Sequence, residues 1–266
     1  MYAMTMTKHH ALGNDFLVLV DLEGDRPVGA ALARALCDRH RGIGADGFVR
    51  AGPGGEGADV TMELRNADGG EAEMSGNGLR CLGQAVLDSG LVPGPDLTVA
   101  TVAGRRRVTV RPAPEAGAGA AWVSADMGLP KVGPDQADEW PGWQARPVDV
   151  GNPHLVLLGG DPGGVDVAAL GPRIDGRHAG GSNVEFVAVG PGPDELTLRV
   201  WERGVGETLA CGTGATAAAA AAHEWGLVGT SVVVRQPGGD VQVDLGPDAA
   251  VLSGLVHRIA RIEVER

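Results

Sequence analysis

The feature that most constrains the fold is an internal repeat carried by glycines, not by bulky side chains. The first copy contains Gly70-Glu71, Ser75-Gly76-Asn77-Gly78, a helix-like stretch and then Gly90-Leu91-Val92. Each landmark recurs 136 residues later, in Gly206-Glu207, Cys211-Gly212-Thr213-Gly214 and Gly226-Leu227-Val228. Gly13-Asn14 and Gly151-Asn152 repeat with an offset of 138. The spacing predicts two related halves, each with a Ser or Cys before a helix start, sharing one site for a small anion.

The length and the repeat together predict two domains. At 266 residues the chain suits two domains of average size, and its 43% apolar but 3% aromatic content predicts cores of Ala, Val and Leu. We place the first half at residues 1–116 and the second at 117–254, with the Pro- and Gly-rich segment 111–120 as the linker. The last segment, 255–266, reads as a strand that returns to the first half.

Charge and cysteine content limit the function classes. The net charge of −12 argues against nucleic acid or an anionic membrane as a partner. No apolar run has the length of a signal peptide core or a membrane span. Cys37, Cys81 and Cys211 are odd in number and widely spaced, which indicates free thiols in a reducing cytosol and no metal site. We therefore expect a cytoplasmic enzyme or binding protein for a small molecule.

The periodicity predicts an α+β chain. Helices are expected over residues 29–40, 78–89 and 215–225, the last almost pure Ala and suited to close packing. Short strands bounded by turn residues are expected at 17–20, 60–64, 97–102, 107–110, 155–158, 196–201, 231–234 and 241–245.

Cys211 is the strongest candidate for chemistry. It precedes Gly212-Thr213-Gly214 and a helix, where amide N–H groups and the helix dipole favour a thiolate. Most free cysteines are buried and structural, and we keep that interpretation for Cys37 and Cys81. Ser75 occupies the matching place in the first half, where it suits both an ordinary helix N-cap and a catalytic role.

Five asparagines and one histidine are further candidates for the functional site. An Asn beside Gly or Pro is usually a turn residue, but five of them also suit a charged amino acid as ligand: Asn14, Asn66, Asn77, Asn152 and Asn183. His154 suits either acid–base assistance or a surface position. The glycine-rich run 42–47 lacks the Lys-Ser/Thr and preceding strand of a phosphate loop.

Six ordered blocks of sequence resemble the diaminopimelate epimerase family and span nearly the whole chain. They are Leu12-Gly13-Asn14-Asp15-Phe16, the run 42–47, Arg65–Gly69 with Ala72–Gly78, Gly151-Asn152-Pro153-His154, Ser182-Asn183-Val184, and Glu202–Gly214. The resemblance implies a cofactor-independent isomerase that interconverts LL- and meso-diaminopimelate for lysine and cell-wall synthesis. It also implies two pseudo-symmetric halves, each a curved, mostly antiparallel sheet wrapped around a central helix, with the active site in the cleft. Members are often homodimers.

The resemblance assigns roles to the candidate residues. Asn14, Asn66, Asn152, Asn183 and Arg203 would hold the distal amino-acid end of the substrate. Gly76-Asn77 and Gly212-Thr213 would hold the α-carboxylate through amides at the two helix starts. Glu202 and His154 would bind near the reacting carbon and support proton transfer.

This chain departs from the family at two positions. The family uses two cysteines, and Ser75 stands where the first is expected; Gly47 stands where many relatives carry a Gln that contacts substrate. A serine hydroxyl is a much weaker acid than a thiol, so Cys211 would be the competent base and Ser75 at best a proton donor. Three accounts stay open: an impaired diaminopimelate epimerase, a paralogue that uses a Ser75/Cys211 pair on another amino acid, and a catalytically silent amino-acid-binding protein.

Overall fold

The structure is a computed structural model that describes residues 4–24, 26–55, 57–72, 74–136 and 139–265. Glu73, which belongs to one of the sequence blocks above, lies outside the described residues. Internal contacts divide the chain into two compact units, which we call the first unit (Met1–Ala125 with Gly254–Arg266) and the second unit (Asp126–Ser253).

The described residues form strands, four α-helices and short 3-10 turns. The elements that begin in the first unit are β1 (Met4–Ala11), β2 (Asn14–Val20), α1 (Ala30–Cys37), β3 (Gly47–Pro53), β4 (Val60–Asn66), α2 (Gly76–Ser89), β5 (Asp96–Thr101), β6 (Gly104–Pro112) and β7 (Ala120–Gly128). Those that begin in the second unit are β8 (Lys131–Val132), β9 (Gln144–Asp149), β10 (Pro153–Leu158), α3 (Val167–Asp175), β11 (Asn183–Val189), β12 (Glu195–Glu202), β13 (Gly206–Thr208), α4 (Gly212–Glu224), β14 (Ser231–Gln236), β15 (Gly239–Leu245) and β16 (Ala250–Val264).

The segment 111–120 is a hairpin connection and not a linker between domains. β6 and β7 pair antiparallel from Val108 opposite Ala125 to Pro112 opposite Ala121. A 3-10 turn at Pro114–Ala116 joins them, and the unit boundary falls later, inside β7. Proline and glycine mark a turn here because two strands reverse direction, which a composition-based reading does not separate from a linker.

The two units repeat the same sheet topology. In the first unit β1 to β7 lie side by side in chain order, and the later part of β16 pairs with β1. Neighbouring strands are antiparallel except β2–β3 and β4–β5, which are parallel. In the second unit the neighbours from β8 to the start of β16 are antiparallel except β10–β11 and β12–β14. The parallel pairs recur at equivalent places, so the α+β class and the pseudo-symmetric halves are confirmed.

Each unit wraps its sheet around one central helix. α2 contacts β1, β2, β3, β4 and β6, whereas α4 contacts β8 to β12, β14 and β15. Every residue from Gly212 to Ala222 is buried, so α4 is enclosed on all sides. Its alanines explain this packing, because a methyl side chain lets strands approach the helix backbone from every direction.

A second helix covers the other face of each sheet. α1 packs on the first unit around Leu36 and Phe48, and α3 packs on the second unit around Ile174 and Phe186. The sequence reading did not predict α3, because Pro172 lies inside it and proline usually interrupts a helix. None of the helices in the described ranges is long and apolar enough to cross a membrane.

Candidate functional site

Ser75 and Cys211 have the same local geometry at the starts of the two central helices. Each is the N-cap residue in extended conformation, with φ −141° and ψ 114° for Ser75 and φ −126° and ψ 117° for Cys211. Ser75 Oγ accepts the Gly78 N–H at 3.0 Å, and Cys211 Sγ accepts the Gly214 N–H at 3.3 Å. The repeat in the sequence is therefore a repeat of helix-capping geometry, and it leaves other amides of each first turn without helical partners.

In the first unit the structure joins Asn14 to the helix start. The side-chain N–H of Asn77 donates to Asn14 Oδ1 at 3.1 Å, and Asn14 Nδ2 donates to Asp46 Oδ2 at 2.9 Å. Asn77 and Gly76 are buried in the first turn of α2. Asp46 comes from the glycine-rich run 42–47, which serves this cluster instead of forming a phosphate loop.

Asn66 lies at the end of β4 and shapes a turn. Its backbone N–H donates to the Gly70 carbonyl, and its carbonyl accepts the Gly69 N–H, both at 2.9 Å. The structure gives its side chain no hydrogen bond to another described residue. Its predicted role toward substrate therefore stays a prediction.

In the second unit polar groups surround the Cys211 thiol. The Thr213 hydroxyl lies 3.3 Å from Sγ, and the backbone N–H of Cys211 donates to Gln236 Oε1 at 2.7 Å. The Glu202 carboxyl group is also near the thiol, and each of the two groups shifts the pKa of the other. Cys211 is 3% exposed, so these contacts form in a largely dry environment.

The expectation that the helix start favours a Cys211 thiolate is wrong for this structure. Burial is the largest cause that raises the pKa of the Cys211 thiol well above its usual value, and the carboxylates of Glu202 and Glu185 add to it. Hydrogen bonds from Thr213 and from the Gly214 amide lower the pKa but do not outweigh them. At neutral pH the resting group is therefore a thiol with the Glu202 carboxyl group beside it.

Glu202 is the carboxylate beside that thiol. Burial raises its pKa, while hydrogen bonds from the Thr208 hydroxyl and from the Cys211 thiol lower it. Thr208 Oγ1 donates to Glu202 Oε1 and fixes the direction of the carboxylate. Because β13 pairs with β12, Thr208 lies next to the end of the strand that carries Glu202.

His154 is held between an acid and an amide. Its Nδ1 lies 2.6 Å from Glu185 Oε1, and its Nε2 lies 2.9 Å from Asn152 Oδ1. Both side chains of the His154–Glu185 pair are 0% exposed. His154 is thus buried in the polar cluster and does not lie at the surface.

Asn183 connects the segment before His154 to Arg203. Its Nδ2 donates to the Pro153 carbonyl at 2.9 Å, and its Oδ1 accepts the backbone N–H of Arg203 at 3.0 Å. The Arg203 guanidinium donates to the Gly180 carbonyl at 3.0 Å. A cavity of about 350 Å³ in this unit is lined by His154, Ser182 and Arg203 among other residues.

The two units differ in charge at equivalent positions. Strand register places His154 opposite Asn183 in the second unit and Phe16 opposite Gly47 in the first. By the offset of 136, Glu185 corresponds to Val49 and Glu202 to Asn66. At these positions the second unit therefore has buried carboxylates and a histidine near its helix start, where the equivalent positions of the first unit hold Phe16, Val49 and Asn66.

Sequence reasoning missed three of these residues. Glu185 lies in the otherwise apolar run of β11, Thr208 lies within the block Glu202–Gly214 but was given no role, and Gln236 lies at a strand end with no motif around it. A carboxylate inside an apolar strand was the one available signal, because burying a charge requires a partner.

Gly47 leaves no room for the side chain that many relatives carry. A Cβ at this position would lie 2.9 Å from the Arg65 carbonyl oxygen and 3.1 Å from the Phe16 ring. The glycine at position 47 therefore allows the Phe16 ring to pack closely against the backbone. Within the described ranges, no group of three or more His, Cys, Asp or Glu side chains is placed to hold a metal ion.

Comparisons with known proteins agree on one family. The family model described as diaminopimelate epimerase matches residues 6–132 and 147–258. The chain is 37% identical over 281 residues to a diaminopimelate epimerase of Microcystis aeruginosa, covering 94% of this chain and 97% of that one. It is 39% identical over 268 residues to a diaminopimelate epimerase of Moorella thermoacetica, covering 92% of both.

Solved structures share the fold at low sequence identity. A hydroxyproline epimerase from Agrobacterium vitis has a TM-score of 0.74 at 19% identity, covering 99% of this chain and 91% of that one. A phenazine biosynthesis protein of the PhzF family from Bacillus anthracis has a TM-score of 0.72 at 14% identity, with both chains covered completely. These neighbours establish the architecture and nothing about the substrate.

Proposed function

Because this chain belongs to the diaminopimelate epimerase family and is an amino-acid epimerase, an isomerase, we propose that it interconverts LL- and meso-diaminopimelate. The relatives that carry this name match almost the whole chain at 37–39% identity. The reaction inverts one α-carbon, so a proton must leave one face and another must arrive on the opposite face.

The observation that carries the proposal is the buried Cys211 thiol at the start of α4, with the Glu202 carboxyl group near enough that each group shifts the pKa of the other. Such a pair can exchange a proton without bulk water. When Glu202 takes the thiol proton, the thiolate is the base that removes the α-hydrogen. In the reverse direction the resting thiol is the acid that returns a proton to the α-carbon.

The helix starts supply binding for the negative end of an amino acid. Amides of the first turn of α2, at Gly76 and Asn77, and of α4, at Gly212 and Thr213, suit a carboxylate together with the helix dipole. The buried Glu202 and Glu185 carboxylates in the second unit suit a substrate ammonium group. These features support an α-amino acid as the ligand.

Ser75 limits the reaction in our proposal. Its hydroxyl occupies the same capping position as the Cys211 thiol, so substrate binding is retained. A hydroxyl is a far weaker acid than a thiol, and general acid–base assistance is worth about 10²–10⁴-fold. We therefore infer a large loss of epimerisation relative to the variant Ser75→Cys, with Cys211 as the competent base.

The test is exchange of the α-hydrogen followed by NMR in D₂O. LL- and meso-diaminopimelate are incubated with the protein, with Ser75→Cys and with Cys211→Ala. We expect deuterium uptake without inversion by the Ser75 protein, both uptake and inversion by Ser75→Cys, and neither by Cys211→Ala. Together these results would assign removal of the α-hydrogen to Cys211, and the slow return of a proton to the opposite face of the α-carbon to Ser75.

Other outcomes would favour a catalytically silent amino-acid-binding protein or a paralogue that acts on another amino acid. If Ser75→Cys also fails to exchange the α-hydrogen although both forms bind diaminopimelate, the protein is an amino-acid-binding protein. If neither form binds diaminopimelate but one exchanges the α-hydrogen of another amino acid, the protein is a paralogue with that substrate. The homodimeric state and the cytosolic location expected from the sequence stay predictions.

A further inference from the structure

A chain of hydrogen bonds in the first unit links a buried arginine to an aspartate through two of the proposed substrate-binding amides. Arg80 Nη2 donates to Asn77 Oδ1 at 2.7 Å, and Asn77 Nδ2 donates to Asn14 Oδ1 at 3.1 Å. Asn14 Nδ2 then donates to Asp46 Oδ2 at 2.9 Å. The other oxygen of Asp46 accepts from Arg39 at 2.7 Å.

The two ends of this chain determine the direction of every bond between them. A guanidinium can only donate and a carboxylate can only accept, whereas a side-chain amide can present either its oxygen or its NH₂ group. With Arg80 at one end, Asn77 must turn its oxygen toward it and its NH₂ group toward Asn14. With Asp46 at the other end, Asn14 must turn its NH₂ group away from Asn77.

We propose that Arg80 and Asp46 are positioning residues that hold the Asn77 and Asn14 amides in one orientation for the substrate. Neither touches substrate in this proposal, which rests on the proposed function of Asn14 and Asn77. Without these ends, a flipped amide no longer meets a like group at Arg80 or Asp46, and a flipped amide offers a donor where the substrate needs an acceptor.

Arg80 is an unusual residue for a purely structural role. It is 0% exposed, and its Nε and Nη1 atoms have no hydrogen-bond partner among the described residues. Burial lowers the pKa of Arg80 to about 10. A buried cation is costly to maintain, so the fold gains little from it.

The internal repeat shows that the helix does not require an arginine here. By the offset of 136, the position equivalent to Arg80 in α4 is Thr216. Thr216 Oγ1 donates to the Gly212 carbonyl in its own helix at 2.9 Å. Since the same place in the second unit holds a short neutral side chain, the arginine is specific to the first unit, where it meets Asn77.

The test compares Arg80→Met and Asp46→Asn with the control Arg50→Met. Arg50 is also buried in the first unit, but it pairs with Asp21 and Glu63 and has no contact with the amide chain. Asn at position 46 keeps the shape but presents an NH₂ group either to Asn14 or to Arg39, both of which donate. Asp46 is partly exposed, so we expect this variant to fold even where a change at Arg80 prevents folding.

Two measurements are made on each folded variant. The first is the dissociation constant of meso-diaminopimelate by calorimetry, and the second is the side-chain ¹⁵N–¹H spectrum of Asn14 and Asn77 without ligand. We expect Arg80→Met and Asp46→Asn to weaken binding on the order of tenfold, consistent with the loss of one charge-assisted hydrogen bond. We also expect them to shift or broaden both side-chain signals.

The control separates positioning from stability. Arg50→Met should lower the Tm but leave the dissociation constant and both amide signals unchanged. Unchanged signals and affinity in Asp46→Asn would overturn the proposal. If the unmodified protein does not bind diaminopimelate at all, the proposed function fails, while the amide spectra still decide whether Arg80 and Asp46 fix the two side chains.

Discussion

The Glu185 carboxylate packs directly against Gly214 in the first turn of α4. A Cβ added at Gly214 would lie 2.8 Å from Glu185 Oε1 and 3.3 Å from Cys211 Sγ. That same oxygen lies 2.6 Å from His154 Nδ1. Glycine at this position therefore allows a buried acid to approach both the histidine and the helix start.

The variant Gly214→Ala should displace Glu185 and weaken its contact with His154. We expect at least about a tenfold loss of α-hydrogen exchange, measured in the Ser75→Cys background, because misplaced catalytic groups cost about this much or more. Gly29→Ala is the matched control, since nothing lies within 4 Å of a Cβ there. Equal exchange rates for the two variants would show that the position of Glu185 does not matter for turnover.

Replacement of Glu202 by Gln should lower the pKa of the Cys211 thiol. Burial is the largest cause of its raised pKa, and the negative charge of Glu202 is the next. Removing that charge makes the thiolate easier to form, so thiolate absorbance near 240 nm should begin to rise at a lower pH in Glu202→Gln. Each titration is corrected with its Cys211→Ala counterpart, because Cys37 and Cys81 also titrate. An unchanged midpoint would mean that the charge of Glu202 does not contribute to the raised pKa of the thiol.

The repeat in the sequence predicts two residues of the candidate site. Ser75 and Cys211 share a common offset, and the structure gives both the same capping geometry. Spacing works here because a helix start is a local structure that a few adjacent residues determine. The contacts of Cys211 with Glu202, and of His154 with Glu185, join different elements, and no local pattern encodes them.

Local patterns also limit how much of the fold the sequence predicts. All the predicted strands and the three predicted helices are present, because their periodicity is strong over several residues. Helix α3 has no such clear signal, because Pro172 lies inside it and proline usually interrupts a helix. The hairpin at 111–120 was interpreted as a linker because the same residue types form both.

The enclosed helix α4 should not tolerate a larger side chain. Ala218 is 0% exposed in a helix buried on all sides, so Ala218→Leu forces strands apart and costs about 1–3 kcal/mol of unfolding free energy. Ala31→Leu is the matched control, because Ala31 is an exposed residue of helix α1. Urea unfolding should show a lower midpoint for Ala218→Leu alone. A drop of the same size in both variants would point to a general intolerance of leucine.

His9 should make the protein less stable in acid. The ring is buried, with Nδ1 3.0 Å from Gln84 Oε1 and Nε2 2.9 Å from Thr7 Oγ1. Burial is the main cause that lowers its pKa from 6.5 to about 4. The unfolded chain therefore takes up a proton as the pH falls through 6.5, while the folded protein resists protonation until about pH 4.

The stabilising effect of neutral His9 is thus complete above pH 6.5 and is lost as the pH falls toward 4. At about 1.4 kcal/mol per pKa unit, the loss is on the order of 3 kcal/mol. Urea unfolding of the protein and of His9→Gln between pH 8 and pH 4 should give a free-energy difference that shrinks toward low pH. Parallel curves for His9→Gln would show that burial of this ring is not linked to proton uptake.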